Sequence, residues 1–353
     1  MKALLAVACA LISVACGGDS DPSKGGPTGG AGGVSVGGSA GSGGSAGSGG
    51  SAGSGGSAGS GGSAGSGGSA PGCAFEQASG SGKLCALSPS AISAGTSNAF
   101  GYHAVGLPAA ITASTPVYAH LVGSGGDPAK PATKSFPNQL LMDELVAAGV
   151  LVLLPAYDNF PTIGSLCKND LACYEPLRRE VMYGQAAPAP YATLKDVTKP
   201  NDIASRLNSL VAALTAQGAL GSTPPAALAG GKFDASKARI GGHSQGGGHA
   251  GLFAKDTLFE RVCMLSSPID ASEAGGVAVA VPWVSGTWAT KLGARRAVIH
   301  EQDPGFIKAK ANFDAMGLVE GTHWQRLTWA TTEAHASTVK DVAAAAARAA
   351  CIQ

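Results

Sequence analysis

From Pro116 onward, short apolar runs alternate with longer amphipathic ones. "VYAHLV" (117–122) lies between Pro116 and "GSGGDP", and it predicts a buried strand followed by a glycine loop. "NQLLMDELVAAG" places Leu140, Leu141, Leu145 and Ala148 at helical spacing and stops at Gly149. "VLVLLP" (150–155) is apolar without interruption, as a parallel strand covered on both faces should be. After an irregular segment, 156–200, "NDIASRLNSLVAALTAQG" puts Ile203, Leu207, Leu210, Val211 and Leu214 on one face, with Asn201 expected as its cap and Gly218 as its stop. "KARIGG" (237–242) predicts a strand and "GHAGLFAKD" a helix. "RVCMLSSPID" (261–270) and "RRAVIHEQD" (295–303) repeat the strand-then-loop pattern. "QRLTWATT" predicts a last strand and "VKDVAAAAARAA" a last helix. This rhythm predicts an α/β fold, a mostly parallel central sheet with helices on both faces. Residues 73 to about 115 are expected to add leading antiparallel strands, whose register the pattern does not set.

The N-terminal part follows other rules. "MKALLAVACALISVAC" has a lysine, a short apolar run and small residues before Cys16, as a signal peptide over 1–15 does. The run is too short to span a bilayer. Cys16 after "SVA" resembles a lipobox and is the candidate lipidation site, and an ordinary signal peptide is the alternative. A diacylated cysteine carries the two chains that stable anchoring needs. Residues 16–72 are Gly/Ser-rich, and "SAGSGG" occurs five times in succession from Ser39 to Gly68. The unit has no apolar group to build a core, so it predicts a disordered tether, with a root-mean-square reach of roughly 40 Å for about 55 residues. The folded domain is expected over 73–353 as a monomer, exported and lipid-anchored to the cell envelope.

Net charge is +1 with no basic block, which argues against nucleic acid as a partner. Six cysteines follow the tether. An even number in an exported chain predicts disulfides, with Cys73–Cys85 and Cys167–Cys173 the natural local pairs and Cys263 and Cys351 left open. Their spacing lacks zinc knuckles, so neither a metal nor a cofactor is expected.

"RIGGHSQGGGHA" (239–250) contains Gly-x-Ser-x-Gly, which a chain with 54 glycines can spell by chance. Its surroundings decide. A nucleophile elbow needs an entering strand, small residues two before and two after the serine, and a departing helix. "ARIGG", Gly242, Gly246 and "GGGHAGLFAKD" supply these around Ser244. An acid and a histidine must follow in that order at strand ends. Asp303 comes after "RRAVIH", and His335 is expected in a loop before the last helix. Ser244, Asp303 and His335 are therefore the candidate triad, with Asp270 the alternative acid. The oxyanion would be held by the backbone N–H of Gln245 and by Ser124 or Gly123 in the glycine loop. His323, His249 and His300 are expected to be turn or satisfied structural histidines. Trp283 and Trp288 are candidates for either an acyl pocket or packing. Segment 156–200 is either a cap or a disulfide-pinned loop.

"HLVGSGGDP", "LLPAYDN", "IASRL", "GGHSQGGGHAGLFAK", "RVCMLSSPID" and "VIHEQDP", in this order over about 116–345, resemble the α/β-hydrolase superfamily. They look closest to a poorly characterised bacterial secreted or lipoprotein branch. The oxyanion loop departs from the common His-Gly form, because His120 precedes Gly123 by three residues. The resemblance implies a serine hydrolase cleaving a small-molecule or lipid ester. An acyltransferase or peptidase using the same triad, or a displayed binding protein on a hydrolase scaffold, are the alternatives.

Overall fold

The computed structural model describes residues 72–353, and in it the continuous apolar runs form the centre of a nine-stranded sheet. The signal peptide, Cys16 and the glycine–serine repeat lie outside the described residues. In chain order the first elements are β1 (Phe75–Ser79), β2 (Gly82–Leu87), α1 (Pro89–Ile92), β3 (His103–Leu107), β4 (Val117–Leu121), α2 (Gln139–Ala147) and β5 (Leu151–Leu154). Segment 156–200 then carries α3 (Ile163–Cys167) and α4 (Leu171–Tyr183), and α5 (Ile203–Ala216) follows it. The second half contains β6 (Arg239–His243), α6 (Gln245–Asp256), β7 (Arg261–Leu265), β8 (Ala271–Ala274), β9 (Val277–Ala280) and β10 (Arg295–His300). The chain closes with α7 (Phe306–Ala315), β11 (Trp324–Leu327), α8 (Ala334–Lys340) and α9 (Ala345–Ile352).

The sheet order is β1-β2-β3-β5-β4-β6-β7-β10-β11. β5, β4, β6, β7, β10 and β11 pair in parallel, and β1, β2 and β3 form an antiparallel flank joined to β5. This is the α/β-hydrolase arrangement. Successive residues on a strand face opposite sides of its sheet, and β7 shows what covers each. Met264 lies against Gly251 of α6, whereas the neighbouring Cys263 is bonded to Cys351 of α9. Helices therefore pack on both faces. β4 and β5 are buried at every position, as strands sandwiched between two helix layers must be.

The caps show why some elements start where they do. α5 is capped by Asp202, whose side chain accepts from the Ser205 N–H at 3.0 Å, one residue later than the expected Asn201. Asn201 instead accepts from Arg206 and the Ser97 N–H. α4 is capped at its start by Asp170, which accepts from the Ala172 N–H, and at its end by Gly184 in the left-handed conformation. β8 and β9 form a hairpin not anticipated in the sequence, turned by Gly275 and Gly276, both at positive φ. Three disulfides close the domain: Cys73–Cys85, Cys167–Cys173 and Cys263–Cys351. The third resolves the pair left open by the spacing.

Candidate active site

β6 runs straight into Ser244, whose backbone stands at φ 53°, ψ −123°, and α6 starts at the next residue. That conformation is strained for a residue with a Cβ, and it persists only where the surroundings impose it. Here the imposing contacts are steric. A Cβ at Gly242 would overlap the backbone of Gly246 and the Leu121 carbonyl, and one at Gly246 would overlap the Leu121 and Val122 carbonyls. Small residues flank the serine because β4 and α6 pass within contact distance of it.

Asp303 follows β10, and His335 sits in the first turn of α8 rather than in a loop ahead of the last helix. The Nδ1 of His335 lies 3.0 and 2.9 Å from the two Asp303 oxygens. Burial raises the Asp303 pKa, but the His335 hydrogen bond and charge and the Gly305 N–H outweigh it and hold the carboxyl below its ordinary value. An ionised carboxylate accepts only, so Nδ1 carries the proton and Nε2 is turned to the other side of the ring.

His335 is positioned by its backbone as well as by its ring. Its carbonyl accepts from the Nε2–H of His243 at 2.8 Å and from the Ser266 hydroxyl at 2.9 Å. The rings of His243 and His335 lie 4.9 Å apart between centroids. Burial, followed by the charge of His335, pushes the His243 pKa down to about 4, so its ring is neutral near pH 7. The residue just before the serine therefore grips the candidate base. Nothing in the sequence singled out His243 or Ser266 for this, since the contacts span 92 and 69 positions.

The glycine loop after β4 lies against the elbow. A Cβ on Gly123 would sit 3.3 Å from Ser244 Cβ, and Ser124 shares a cavity of about 380 Å³ with Ser244 and Gln245. Asn159 Nδ2 donates to the carbonyls of Gly123 and Gly126, at 3.2 and 2.6 Å. As the first residue of α6, Gln245 has a backbone N–H with no acceptor within its own helix. Gln245, Ser124 and Gly123, the candidate oxyanion donors, thus lie next to Ser244.

Asp270, the alternative acid, is committed elsewhere. It is 3% exposed and receives both Nε and Nη2 of Arg178 at 2.5 Å, with Trp283 Nε1 at 3.0 Å. Arg178, on α4, also donates to the Gln245 carbonyl at 3.0 Å and lies against Gly248, where any Cβ would collide with its guanidinium. Its neighbour Arg179 turns to the surface and pairs with Glu175 and Asp256. Neither tryptophan lines the cavity at Ser244. Trp283 packs on Trp288, which lies under the Arg295 guanidinium. His300 is satisfied at the end of β10 by the Trp329 carbonyl and the Gln302 N–H, and His323 accepts from the Val319 N–H within a turn. His249 departs from expectation: it is fully buried, and neither ring nitrogen has a hydrogen-bond partner among the described residues. Cys73, Glu76 and Cys85 cluster together, but both cysteines are spent in a disulfide, so the group lacks the thiolates a metal would need.

No family model matches the chain, and no curated protein matches it. Among solved structures, the chain is similar to esterase B from Lactobacillus rhamnosis, in a structure with a C4-C4 SN3 tributyrin phosphonate. The identity is 13%, over 77% of this chain and 84% of that one, with a TM-score of 0.42. It is also similar to EstE1, a thermophilic carboxylesterase from a metagenomic library, at 14% identity over 71% and 85%, with a TM-score of 0.38. An S-formylglutathione hydrolase from Agrobacterium tumefaciens is 16% identical over 73% and 90%, with a TM-score of 0.39.

Proposed function

We propose that the chain is a serine hydrolase of carboxylic esters. One observation carries the reading. A histidine held through Nδ1 by both oxygens of a buried aspartate is gripped by the residue preceding a serine in an elbow conformation. In this reading His335 Nε2 takes the Ser244 proton as Oγ attacks the ester carbonyl, then returns it to the departing alcohol. Asp303 fixes the tautomer and stabilises the imidazolium. The oxyanion is met by the Gln245 N–H and by an N–H of the Gly123–Ser124 turn, each donor contributing about 3 kcal/mol. Water then attacks the acyl-enzyme by the same proton path in reverse.

The test is labelling with a fluorophosphonate probe, followed by turnover of p-nitrophenyl esters of increasing chain length. Wild type is expected to label and Ser244→Ala not to. Folded wild type that takes up no probe at Ser244 refutes the assignment.

The reading extends to place: an exported enzyme anchored through a lipid on Cys16, with residues 16–72 as its leash. Three disulfides in the domain fit an oxidising compartment. Mass analysis of the mature protein tests this, and an unmodified Cys16 or cleavage at another residue refutes it.

A further inference from the structure

The cavity at Ser244 has an uneven charge. Its lining includes Lys168, Arg178, Lys308 and Asp270, and Asp270 is neutralised by Arg178. Two ammonium groups remain. Lys308 has only a loose partner, Glu273 at 3.6 Å, with both side chains about a third exposed, and such pairs contribute little. Lys168 has no carboxylate within 4.0 Å among the described residues. The apolar lining amounts to Ile269, Pro304 and the ring of Tyr174, which offers no slot for a long acyl chain.

Lys168 is also presented with care. Its backbone stands at φ 53°, ψ −115°, almost the conformation of Ser244 itself. A glycine would take those angles without strain, and a lysine adds only its side chain. The position is fixed by the adjoining Cys167–Cys173 disulfide, by the Lys168 N–H donating to Gly164, and by the Tyr174 hydroxyl donating to the Lys168 carbonyl at 2.7 Å. Asn169, next along, lines the same cavity and adds a neutral donor.

We propose that the substrate of this site is an ester that also bears a free carboxylate, held by Lys168 and Lys308 while Ser244 attacks the ester carbonyl. The proposal rests on the serine-hydrolase reading for its chemistry, but the anion subsite can be read by binding alone. Two cations in the lining of the cavity raise the local concentration of an anionic ester and orient it. A neutral ester of the same length gains nothing from them.

The experiment compares monomethyl adipate with dimethyl adipate, and 4-acetoxybutyrate with butyl acetate, so that the carboxylate lies on the acyl side in one pair and the alcohol side in the other. In at least one pair the anionic ester is expected to have the higher kcat/KM. That preference should fall at least tenfold in Lys168→Gln/Lys308→Gln and invert in Lys168→Glu. Raising sodium chloride from 0.05 to 0.5 M should compress the wild-type preference. In parallel, calorimetry on Ser244→Ala measures the Kd for the same two anionic esters, expected to rise at least fivefold when both lysines are changed. Thermal melts verify that the variants are folded. Preference and Kd both within twofold of the parent in the double variant overturn the proposal. Lysine-dependent binding without fluorophosphonate labelling keeps the subsite and removes the hydrolase reading.

Discussion

Asp270 and Asp303 are both buried carboxylates that follow parallel strands, and their partners give them opposite roles. Changing each to asparagine keeps the shape and removes the charge. At Asp270 the loss falls on Arg178, 2% exposed, which loses the counterion to which two of its nitrogens donate. Breaking a buried pair from one side costs about 3–5 kcal/mol, because the remaining charge stays desolvated. For a domain of about 280 residues, at ~2.1 cal/mol/K of unfolding entropy per residue, that is a fall in melting temperature of roughly 5–8 °C. At Asp303 an asparagine can still accept from the Gly305 N–H, now 2.7 Å away, but it no longer selects the His335 tautomer with its proton on Nδ1. Turnover should fall by about 10⁴ with a smaller change in melting. The assay pairs a thermal melt with p-nitrophenyl acetate turnover for each variant. An Asp270→Asn protein that melts like wild type yet loses four orders of magnitude in rate reverses the assignment. So does an Asp303→Asn protein with wild-type activity.

Three further outcomes follow from the same contacts. Gly246→Ala drives a Cβ into the Leu121 and Val122 carbonyls, neither of which can move without shifting β4, so probe labelling at Ser244 should drop by at least a hundredfold; wild-type labelling refutes the elbow packing. Burial pushes His103 and His120 down to about 3 and His243 to about 4, each below its unfolded value near 6.5. The unfolded chain takes these protons first, so the stability is whole above pH ~6.5 and is lost as pH falls toward 4, at roughly 1.4 kcal/mol per pH unit for each group. Melting temperature should therefore fall steeply from pH 7 to pH 5, and a flat profile over that range contradicts it. The Cys263–Cys351 bridge closes 88 residues and Cys167–Cys173 only 6, so Cys351→Ser should cost about 4–5 kcal/mol in urea unfolding and Cys167→Ser about 2. Equal losses refute the ranking.

The sheet centre was legible because burial on both faces leaves a plain mark, the largely apolar run of β4 and the unbroken one of β5. The candidate triad was legible because an elbow fixes local spacing and the acid and base come at strand ends in a set order. What escaped was long-range pairing of polar groups. Arg178 reads as one of two adjacent arginines on a helix, and nothing local shows that its partner is Asp270, 92 positions on. His335 is expected in a loop because it lies between the last strand and the last helix, yet Glu333 precedes a helical turn that carries it. The β8–β9 hairpin carries a usable signal, Gly275-Gly276 between two short strands, in a stretch outside the strand-then-helix rhythm.

Whether segment 156–200 swings as a lid or stands as a wall is decided by what it is bonded to. Its first part is tied to the residue after Ser244: the Gln245 side chain accepts from the Ile163 N–H at 2.7 Å and donates to the Asn159 carbonyl at 3.1 Å. Its helix α4 is tied to the same residue through Arg178 and the Gln245 carbonyl. Its last part is held within the segment, by Lys195 on Asp158 and by Glu180 accepting from the Ala187 and Val197 N–H groups. Opening such a segment would strip a buried guanidinium from its carboxylate and three hydrogen bonds from the start of the elbow helix. Breaking the buried pair alone costs about 3–5 kcal/mol, which opposes opening. On these contacts we propose that the segment is a fixed wall rather than a lid. In that reading the Lys168 backbone is held before substrate arrives, and its exposed side chain carries the charge from a fixed point.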